Sequence, residues 1–208
     1  MPQPLIAYTD FKSPYAFLAK DPTWALAAET GIEIDWRPYT LDVPSYLGDA
    51  VIGESGEVLS QDRTPHQWRR VRYMFMDAKR RAKWQNMTLR STTRIYDSSR
   101  AAIGLLWAKQ QDPLVLQGYI DTVFTRFWRR ELDLENVAAL TSVLEEAGAD
   151  VRDFADYLAG EGRAEHDRTR AEAEEMGVFG CPTFVLDGEL FWGNEHISLI
   201  RERLSAET

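Results

Sequence analysis

The fold of this chain is decided by residues 177–192, which read GVFGCPTFVLDGELFW. Pro182 stands directly before an apolar run, and Asp187-Gly188 separates that run from a second one. Asp-Gly between two short apolar runs is a strong signal for a two-residue hairpin turn. The stretch therefore predicts two paired strands, Thr183 to Leu186 and Glu189 to Trp192.

Helices are predicted on both sides of this hairpin. On the C-terminal side, Gly193-Asn194 leads into apolar residues at helical spacing, Ile197, Ile200 and Leu204. On the N-terminal side, residues 162–176 are very polar and predict an exposed helix that stops at Gly177.

The N-terminal end supplies a strand, a helix and a second strand. Leu5 to Thr9 is short and mostly apolar, which is typical of a buried strand. Ser13-Pro14 predicts a helix start, because serine is a favoured N-cap and proline suits the first helical turn. Gly31 ends that helix, and apolar residues then alternate with charged ones from Ile32 to Arg37. Strand, helix and strand at this spacing form a βαβ unit.

The middle of the chain has a different character. Residues 41–61 contain Pro44, Gly48, Gly53 and Gly56 and predict a loop or an ordered meander. The residues that follow repeat apolar side chains at helical spacing, around Val71, Leu105, Phe124 and Leu140. The order β-α-β, helical block, β-β-α therefore predicts an α/β protein with a thioredoxin-like fold and a large inserted all-helical domain. Residues 1–45 and 177–208 would form the thioredoxin-like domain, and residues 46–176 the insertion.

Composition restricts the classes of function. The 208 residues suit one compact domain, or one domain carrying a large insertion, and their 44% hydrophobic and 27% charged content is ordinary for a globular protein. The net charge of −9 argues against general binding to nucleic acid, whose phosphates require a basic surface. No apolar run approaches the ~20 residues of a membrane span, so no membrane partner is expected. The histidines His66, His166 and His196 lack the spacing of metal ligands, so no metal is expected.

Cysteine content and the N-terminus bear on location. Cys181 is the one cysteine, which excludes an internal disulfide and a thiolate metal cluster. The opening residues, MPQPLIAYTDF, contain neither a basic n-region nor a small-residue cleavage site, so no secretory signal is visible. We therefore expect a protein of the reducing cytoplasm.

Two segments carry a resemblance to a known family. The first is YTDFKSPYAFLA at residues 8–19, and the second is GVFGCPTFV at residues 177–185, followed by FWGNEH at residues 191–196. Similarity extends into the insertion, from Arg72 to Asp77 and from Asp97 to Leu106. Together these segments resemble 2-hydroxychromene-2-carboxylate isomerases and kappa-class glutathione transferases, within the DsbA-like branch of thioredoxin folds. The resemblance implies glutathione as cofactor, an aromatic small molecule as substrate and a homodimer.

Ser13 stands where a redox-active relative would carry the first cysteine of Cys-x-x-Cys. A helix N-terminus favours negative charge and lowers the pKa of a thiol. Serine cannot form a disulfide, but its hydroxyl can donate a hydrogen bond to a thiolate that a ligand supplies. The resemblance implies that Ser13, with Pro14 beside it, stabilises the thiolate of glutathione. From spacing alone a helix cap is the commoner role, and a serine can have both roles.

The Cys181-Pro182 pair is the second candidate binding element. A proline directly before this strand is often cis in thioredoxin-like folds, and the alternative is an ordinary proline at a strand start. The resemblance implies that the Cys181 backbone pairs with the peptide part of glutathione, like an added strand. The Cys181 side chain is either a small buried hydrophobic group or, if exposed, a partner for a mixed disulfide with glutathione.

The segment Asn194-Glu195-His196 is the third candidate element. Relatives usually have an acidic residue followed by arginine here. The resemblance implies that Glu195 holds the γ-glutamyl amino group of glutathione and that the helix N-terminus holds its carboxylate. His196 replaces a permanent cation with a titratable one. Without the resemblance, Asn194 and Glu195 are explained equally well as a helix cap and a first-turn acid.

Two further patterns have alternative interpretations. The basic stretch from Arg69 to Lys83 is typical of a solvated helix face, and it could also attract carboxylate substrates or glutathione to the cleft between the domains. The tryptophans are mostly candidates for the core, with one or two lining a pocket for an aromatic substrate.

These features favour a glutathione-dependent isomerase or kappa-like transferase. The resemblance implies a thiolate that adds to a conjugated substrate, lets a bond rotate and is then eliminated beneath the helical insertion. Two alternatives remain. A disulfide oxidoreductase requires a nucleophilic cysteine at the first helix, where Ser13 and Ala16 stand. A non-catalytic module would keep the fold and bind a peptide or glutathione.

Overall fold

The two ends of the chain form a four-stranded sheet. A computed structural model of the protein describes residues 3–53 and 55–206. Its main sheet contains β1 (Leu5–Thr9), β2 (Ile34–Pro38), β5 (Thr183–Leu186) and β6 (Glu189–Trp192), in the order β2-β1-β5-β6. Strand β1 is parallel to β2 and antiparallel to β5, which is antiparallel to β6. The predicted βαβ unit and the C-terminal hairpin are confirmed.

The helices lie between and around these strands. They are α1 (Pro14–Thr30), α2 (Val43–Leu47), α3 (Pro65–Trp84), α4 (Ser99–Lys109), α5 (Pro113–Trp128), α6 (Val137–Glu146), α7 (Phe154–Ala159), α8 (Glu161–Glu175) and α9 (Ile197–Ala206), with a 3-10 turn at Asn194–His196. Among the described residues, no helix has both the length and the apolar character needed to cross a membrane.

The ends of α1 follow the predicted capping residues. Ser13 accepts a hydrogen bond from the Ala16 N–H at 3.2 Å, and Pro14 occupies the first helical position. Gly31 ends the helix with a φ of +72°, a left-handed conformation that glycine adopts without the strain imposed by a side chain. The start of α1 is therefore fixed by local chemistry.

The segment from residue 41 to residue 61 is more regular than the predicted loop or meander. It contains α2 and a hairpin of β3 (Ala50–Ile52) and β4 (Val58–Gln61), so the described part of the insertion has two short strands besides its helices and connections. The predicted turn residues connect short elements, since Pro44 lies in the first turn of α2 and Gly48 ends it. Position 54 and the expected domain limits at residues 1 and 208 lie outside the described residues.

An aromatic core joins the insertion to the first helix. The ring centroids of Phe11 and Phe124 are 4.8 Å apart, and Phe17 stacks on Trp128 at 6.0 Å. All four rings are buried, and α1 also packs against α3 and α9. Because burying each aromatic ring removes a large apolar surface from water, this core fixes the start of α1 against the insertion.

A close approach between α4 and α5 generates a stability prediction. A Cβ atom at Gly104 would lie 2.1 Å from Oη of the fully buried Tyr119, whose hydroxyl donates to the Ala101 carbonyl at 3.0 Å. We expect Gly104→Ala to lower the free energy of unfolding by about 1–3 kcal/mol, because Tyr119 must move within a packed core. Urea denaturation measures this change.

The matched control is Gly118→Ala in α5, where the added Cβ would lie 3.3 Å from the Cβ of Ala147. This variant should stay within about 1 kcal/mol of the wild type, since alanine favours the helix. Equal unfolding midpoints for the wild type and Gly104→Ala would contradict the packing described for Tyr119.

Candidate active site

One hydrogen bond joins the start of α1 to the segment before β5. The Ser13 hydroxyl donates to the Cys181 carbonyl, with the two oxygens 3.0 Å apart. The same hydroxyl accepts from the Ala16 N–H, so Ser13 is both the cap of α1 and a partner of Cys181. Ser13 is buried, where a hydroxyl requires hydrogen-bond partners. Two residues that the sequence predicts to act together are therefore in contact.

The peptide bond between Cys181 and Pro182 is cis, as predicted. The Cys181 side chain is buried, with its sulfur 3.5 Å from the Tyr39 carbonyl oxygen. Burial raises the pKa of the Cys181 thiol well above its usual value; the charge of Asp10 adds to this effect and that of Lys12 opposes it. The geometry favours a small buried residue over an exposed partner for a mixed disulfide.

A cavity of ≈ 560 Å³ opens beside the contact between Ser13 and Cys181. Its wall is formed by residues 12–15, by residues 179–181 and by side chains from α2 and α3. Much of the lining is apolar and includes Leu41, Val43, Leu47, Val71, Met74 and Phe75. The cavity thus lies between the sheet domain and the insertion, and its size suits a small organic molecule.

The charged side chains that line this cavity are cations, namely Lys12, Arg63, Arg70 and Arg94. Arg94 is paired with Glu135 at 2.6 Å, whereas Arg63 donates its Nε hydrogen to the Leu47 carbonyl at 3.1 Å. This local excess of positive charge contrasts with the net charge of −9 for the whole chain. Cations around an apolar cavity favour an anionic ligand.

Two exposed aromatic rings flank the segment before β5. The ring centroids of Phe179 and Trp192 are 4.9 Å apart, and both residues line the cavity. A Cβ atom at Gly180 would lie 2.6 Å from Nε1 of Trp192, so glycine permits this close approach. The prediction that a tryptophan lines a pocket is confirmed for Trp192, while Trp128 belongs to the core.

A second cavity of ≈ 480 Å³ is connected to the start of α1 by a chain of polar contacts. It is lined by Asp77, Arg81, Trp84, Gln85 and Asn194. The Tyr15 hydroxyl donates to Asp77 at 3.2 Å, and Arg81 pairs with the same carboxylate oxygen at 2.9 Å. Arg81 also donates to the Asn194 side-chain oxygen at 3.2 Å. Burial, followed by the charge of Asp77, raises the pKa of Tyr15 to about 12.

The predicted site residues are divided between the two cavities. The large cavity is lined by Ser13, Pro14 and Cys181, and the second by Asn194. Pro182, the residue after Cys181, is buried, and the Pro182 carbonyl accepts a hydrogen bond from the Gly193 N–H at 2.9 Å. Ser13, Cys181 and Gly193, from the segments that carry the resemblance, are therefore linked by hydrogen bonds around the cis peptide bond.

Glu195 and His196 lie apart from this arrangement. Glu195 is exposed, and neither residue contributes to the lining of the two cavities in the described part of the chain. Nδ1 of His196 is buried with no hydrogen-bond partner among the described residues, and its ring lies 6.1 Å from Phe191. The expected contact of Glu195 with the amino group of glutathione stays a prediction.

The basic stretch on α3 fits both of its interpretations. Arg70 lines the large cavity and Arg81 lines the second one. The other basic residues of the stretch are exposed, as expected for a solvated face: Arg69, Arg72, Lys79, Arg80 and Lys83. The spacing of the basic residues along α3 does not show which of them line a cavity and which face solvent. That difference depends on which elements pack against α3.

Sequence reasoning did not identify several lining residues. Lys12 lies in residues 8–19, where its neighbours do not indicate a role for it, and residues 92–96 belong to an irregular connection before α4. Asp77 is different, because the resemblance of residues 72–77 was a usable signal. The missed residues reach the cavity through tertiary packing, which no local pattern reports.

The burial of Cys181 generates a reactivity prediction. We expect the thiol of the native protein to react with iodoacetamide at least about tenfold more slowly than in urea, because the thiolate is the nucleophile and burial disfavours it. Mass spectrometry of the alkylated protein measures the rate. The matched control is Cys181→Ala/Phe179→Cys, which moves the thiol to an exposed position two residues away. Equal native rates for these two proteins would contradict the burial of Cys181.

Comparisons with known proteins agree with this fold. The family model described as a DSBA-like thioredoxin domain matches residues 5–205. A 2-hydroxychromene-2-carboxylate isomerase of Sphingobium xenophagum is 27% identical over 200 residues, which is 95% of each chain. One of Pseudomonas putida is 28% identical over 201 residues, covering 95% of this chain and 92% of the relative.

A solved structure has the same fold. That of a selenomethionine 2-hydroxychromene-2-carboxylate isomerase superposes with a TM-score of 0.75, covering 98% of this chain and 95% of that one at 22% identity. The family resemblance inferred from the motifs is thereby confirmed. The strand order and the cis proline are consistent with the family match, which extends over residues 5–205. The protein therefore belongs to the DsbA-like thioredoxin domain family.

Proposed function

We propose that the protein is a glutathione-dependent isomerase of the 2-hydroxychromene-2-carboxylate isomerase type, acting on an aromatic or conjugated carboxylate. The observation that carries the proposal is the contact of Ser13 with Cys181 at the start of α1, beside a cavity whose charged lining is cationic. The relatives named as isomerases support the reaction class. A kappa-like transferase would use the same glutathione site.

The residues at this contact suit glutathione. The Cys181 backbone next to the cis proline offers an edge to which a peptide can add as a strand. Ser13 offers a hydroxyl, and the N-terminus of α1 offers the positive end of a helix dipole. When bound, glutathione would supply a nucleophilic thiolate that is returned at the end of the reaction.

Ser13 would stabilise this thiolate by redirecting its one hydroxyl hydrogen. That hydrogen is donated to the Cys181 carbonyl, while a lone pair accepts from the Ala16 N–H. If an N–H group of the ligand donates to the Cys181 carbonyl in place of Ser13, the Ser13 hydroxyl can donate its hydrogen to the ligand sulfur instead. Rotation about the Cβ–Oγ bond suffices, and the cap of α1 is kept.

The cavity would bind the substrate and exclude water. Its apolar wall can contact an aromatic or conjugated carbon skeleton, and Arg63 and Arg70 can pair with a carboxylate. A dry site strengthens the electrostatic effect of the α1 terminus on an anion. The insertion contributes both arginines and therefore influences which substrates fit.

Two alternatives to this proposal are separable by experiment. A dithiol oxidoreductase needs a second thiol, whereas the sequence contains one cysteine and that cysteine is buried. A non-catalytic module would bind glutathione without turning over a substrate. Activity therefore separates the module from the isomerase.

The first test of the proposal is calorimetric titration with glutathione, combined with the ultraviolet absorbance of its thiolate. We expect the wild type to bind glutathione, and Ser13→Ala to bind it with a thiolate fraction about tenfold lower at neutral pH. A hydrogen bond to a charged group stabilises it by ~1.5–3 kcal/mol, and the mutant lacks that bond.

The control for this test is Asn136→Ala, which removes the cap of α6, a bond from the Ala139 N–H at 3.1 Å. This variant loses a helix cap as Ser13→Ala does, but its thiolate spectrum should match that of the wild type. Equal thiolate spectra for wild type and Ser13→Ala would remove Ser13 from its proposed role.

The second test is turnover of a hydroxychromene carboxylate, followed by a panel of conjugated electrophiles. We expect isomerisation that requires glutathione without consuming it, because the thiolate is returned. Chromatography of substrate, product and glutathione measures this balance. Binding of glutathione without turnover of any member of the panel would favour the non-catalytic module instead.

A further inference from the structure

Lys12 is a buried cation beside Ser13. Only 7% of its side chain is exposed, and it lines the large cavity together with Ser13 and Cys181. Lysine side chains seldom become buried without a partner, since desolvation and loss of rotamer freedom both oppose it. The position of Lys12 in the wall of an apolar cavity is therefore unusual and needs an explanation.

Two groups behind the cavity wall hold Lys12 in place. Its ammonium donates to the Ser98 hydroxyl at 3.1 Å and lies 3.4 Å from an Asp10 carboxylate oxygen. Asp10 is fixed in turn by the Ser98 hydroxyl at 2.6 Å and by the Leu41 N–H at 2.8 Å. Among the residues that the structure describes, these two are the partners of the ammonium, which has three hydrogens, so one hydrogen is left for a ligand.

The orientation of this ion pair distinguishes it from a purely structural one. Lys12 belongs to the cavity lining, whereas Asp10 does not. The pair therefore has its cationic residue in the cavity wall and its anionic residue, of whose side chain 1% is exposed, behind that wall. A buried ion pair contributes little to stability compared with an apolar pair of similar size, so stability alone does not account for it.

The charge of Lys12 acts on sulfur at this end of the cavity. Burial and then Asp10 raise the pKa of the Cys181 thiol, and Lys12 lowers it. Because Lys12 lines the cavity and Asp10 does not, a ligand sulfur in the cavity beside Ser13 would lie closer to Lys12 than to Asp10. At such a position the cation has the larger effect, because electrostatic energy falls with distance.

We propose that Lys12, held by Asp10 and Ser98, supplies a positive charge that acts with Ser13 to stabilise the thiolate of glutathione. This inference rests on the proposed function and deepens it. It also assigns a purpose to Ser98, whose side chain bonds Lys12 and Asp10 instead of capping α4.

Other charged and titratable groups surround the same point. They are Asp10 before α1, Tyr46 on α2, Arg63 and Arg94 in the cavity wall, Asp97 before α4, Arg163 on α8 and Cys181 before β5. The test must therefore change Lys12 alone and compare full titration curves.

The experiment measures the thiolate absorbance of bound glutathione as a function of pH, after calorimetry has established saturation. We expect Lys12→Met to lower the thiolate fraction about tenfold near pH 7, since it removes an adjacent opposite charge. Lys12→Arg keeps the positive charge and should therefore retain most of the wild-type thiolate fraction. Lys79→Met on the exposed face of α3 is the control and should titrate like the wild type.

A second variant protects the test against misfolding. Lys12→Met leaves the Asp10 carboxylate buried without its cation, whereas Asp10→Asn/Lys12→Met removes both charges and keeps similar volumes. We expect the double variant to fold, to bind glutathione and to show the same loss of thiolate as Lys12→Met.

The outcomes separate this inference from the proposed function. Glutathione binding by all variants with unchanged titration curves in both Lys12→Met and the double variant would overturn the role of Lys12 and leave the proposed function intact. Absence of glutathione binding by the wild type would overturn both. A thiolate fraction that is retained in Lys12→Arg and lost in Lys12→Met would establish that the charge of residue 12, and not its packing, is responsible.

Discussion

The hydrogen bond from the Ser13 hydroxyl to the Cys181 carbonyl is the interaction on which the site depends. It joins residues 168 positions apart in the chain and places the N-terminus of α1 directly against the cis peptide bond. The sheet makes this possible, because β1 and β5 are antiparallel neighbours, so the segment that follows β1 meets the segment that precedes β5 at one end of the sheet. A buried hydroxyl, the Cys181 backbone beside the cis proline and a helix terminus are thereby gathered within one small region, which is a suitable environment for an anion.

The insertion completes that environment by packing and by charge. The rings of Phe11 and Phe17 lie against Phe124 and Trp128, so the insertion and the start of α1 share one core. The same packing encloses an apolar cavity and brings arginines from the insertion to its wall. Positive charge is concentrated there although the whole chain is acidic. Site and insertion are therefore one unit, since neither half alone forms the cavity.

Part of this site could be predicted from the sequence and part could not. Ser13, Pro14, Cys181 and Pro182 stand in short motifs whose local roles, capping and strand initiation, are readable from neighbours. Lys12, Asp10 and Ser98 form a cluster that spans two distant segments, and Arg81 reaches Asn194 across a similar separation. Such contacts have no periodicity or composition signal, because they depend on how elements pack.

The sequence by itself determined the order of the strands of the main sheet, the bounds of the C-terminal hairpin and the start and end of α1. These features follow from interactions between residues close in the chain, namely turn preference, capping and the spacing of apolar side chains. Only the tertiary structure decided that residues 41–61 form a helix and a hairpin, that Cys181 is buried, and that Glu195 lies away from the cavities. Burial and charge at those positions are set by residues far apart in sequence, which become neighbours only when the two ends of the chain close around the insertion.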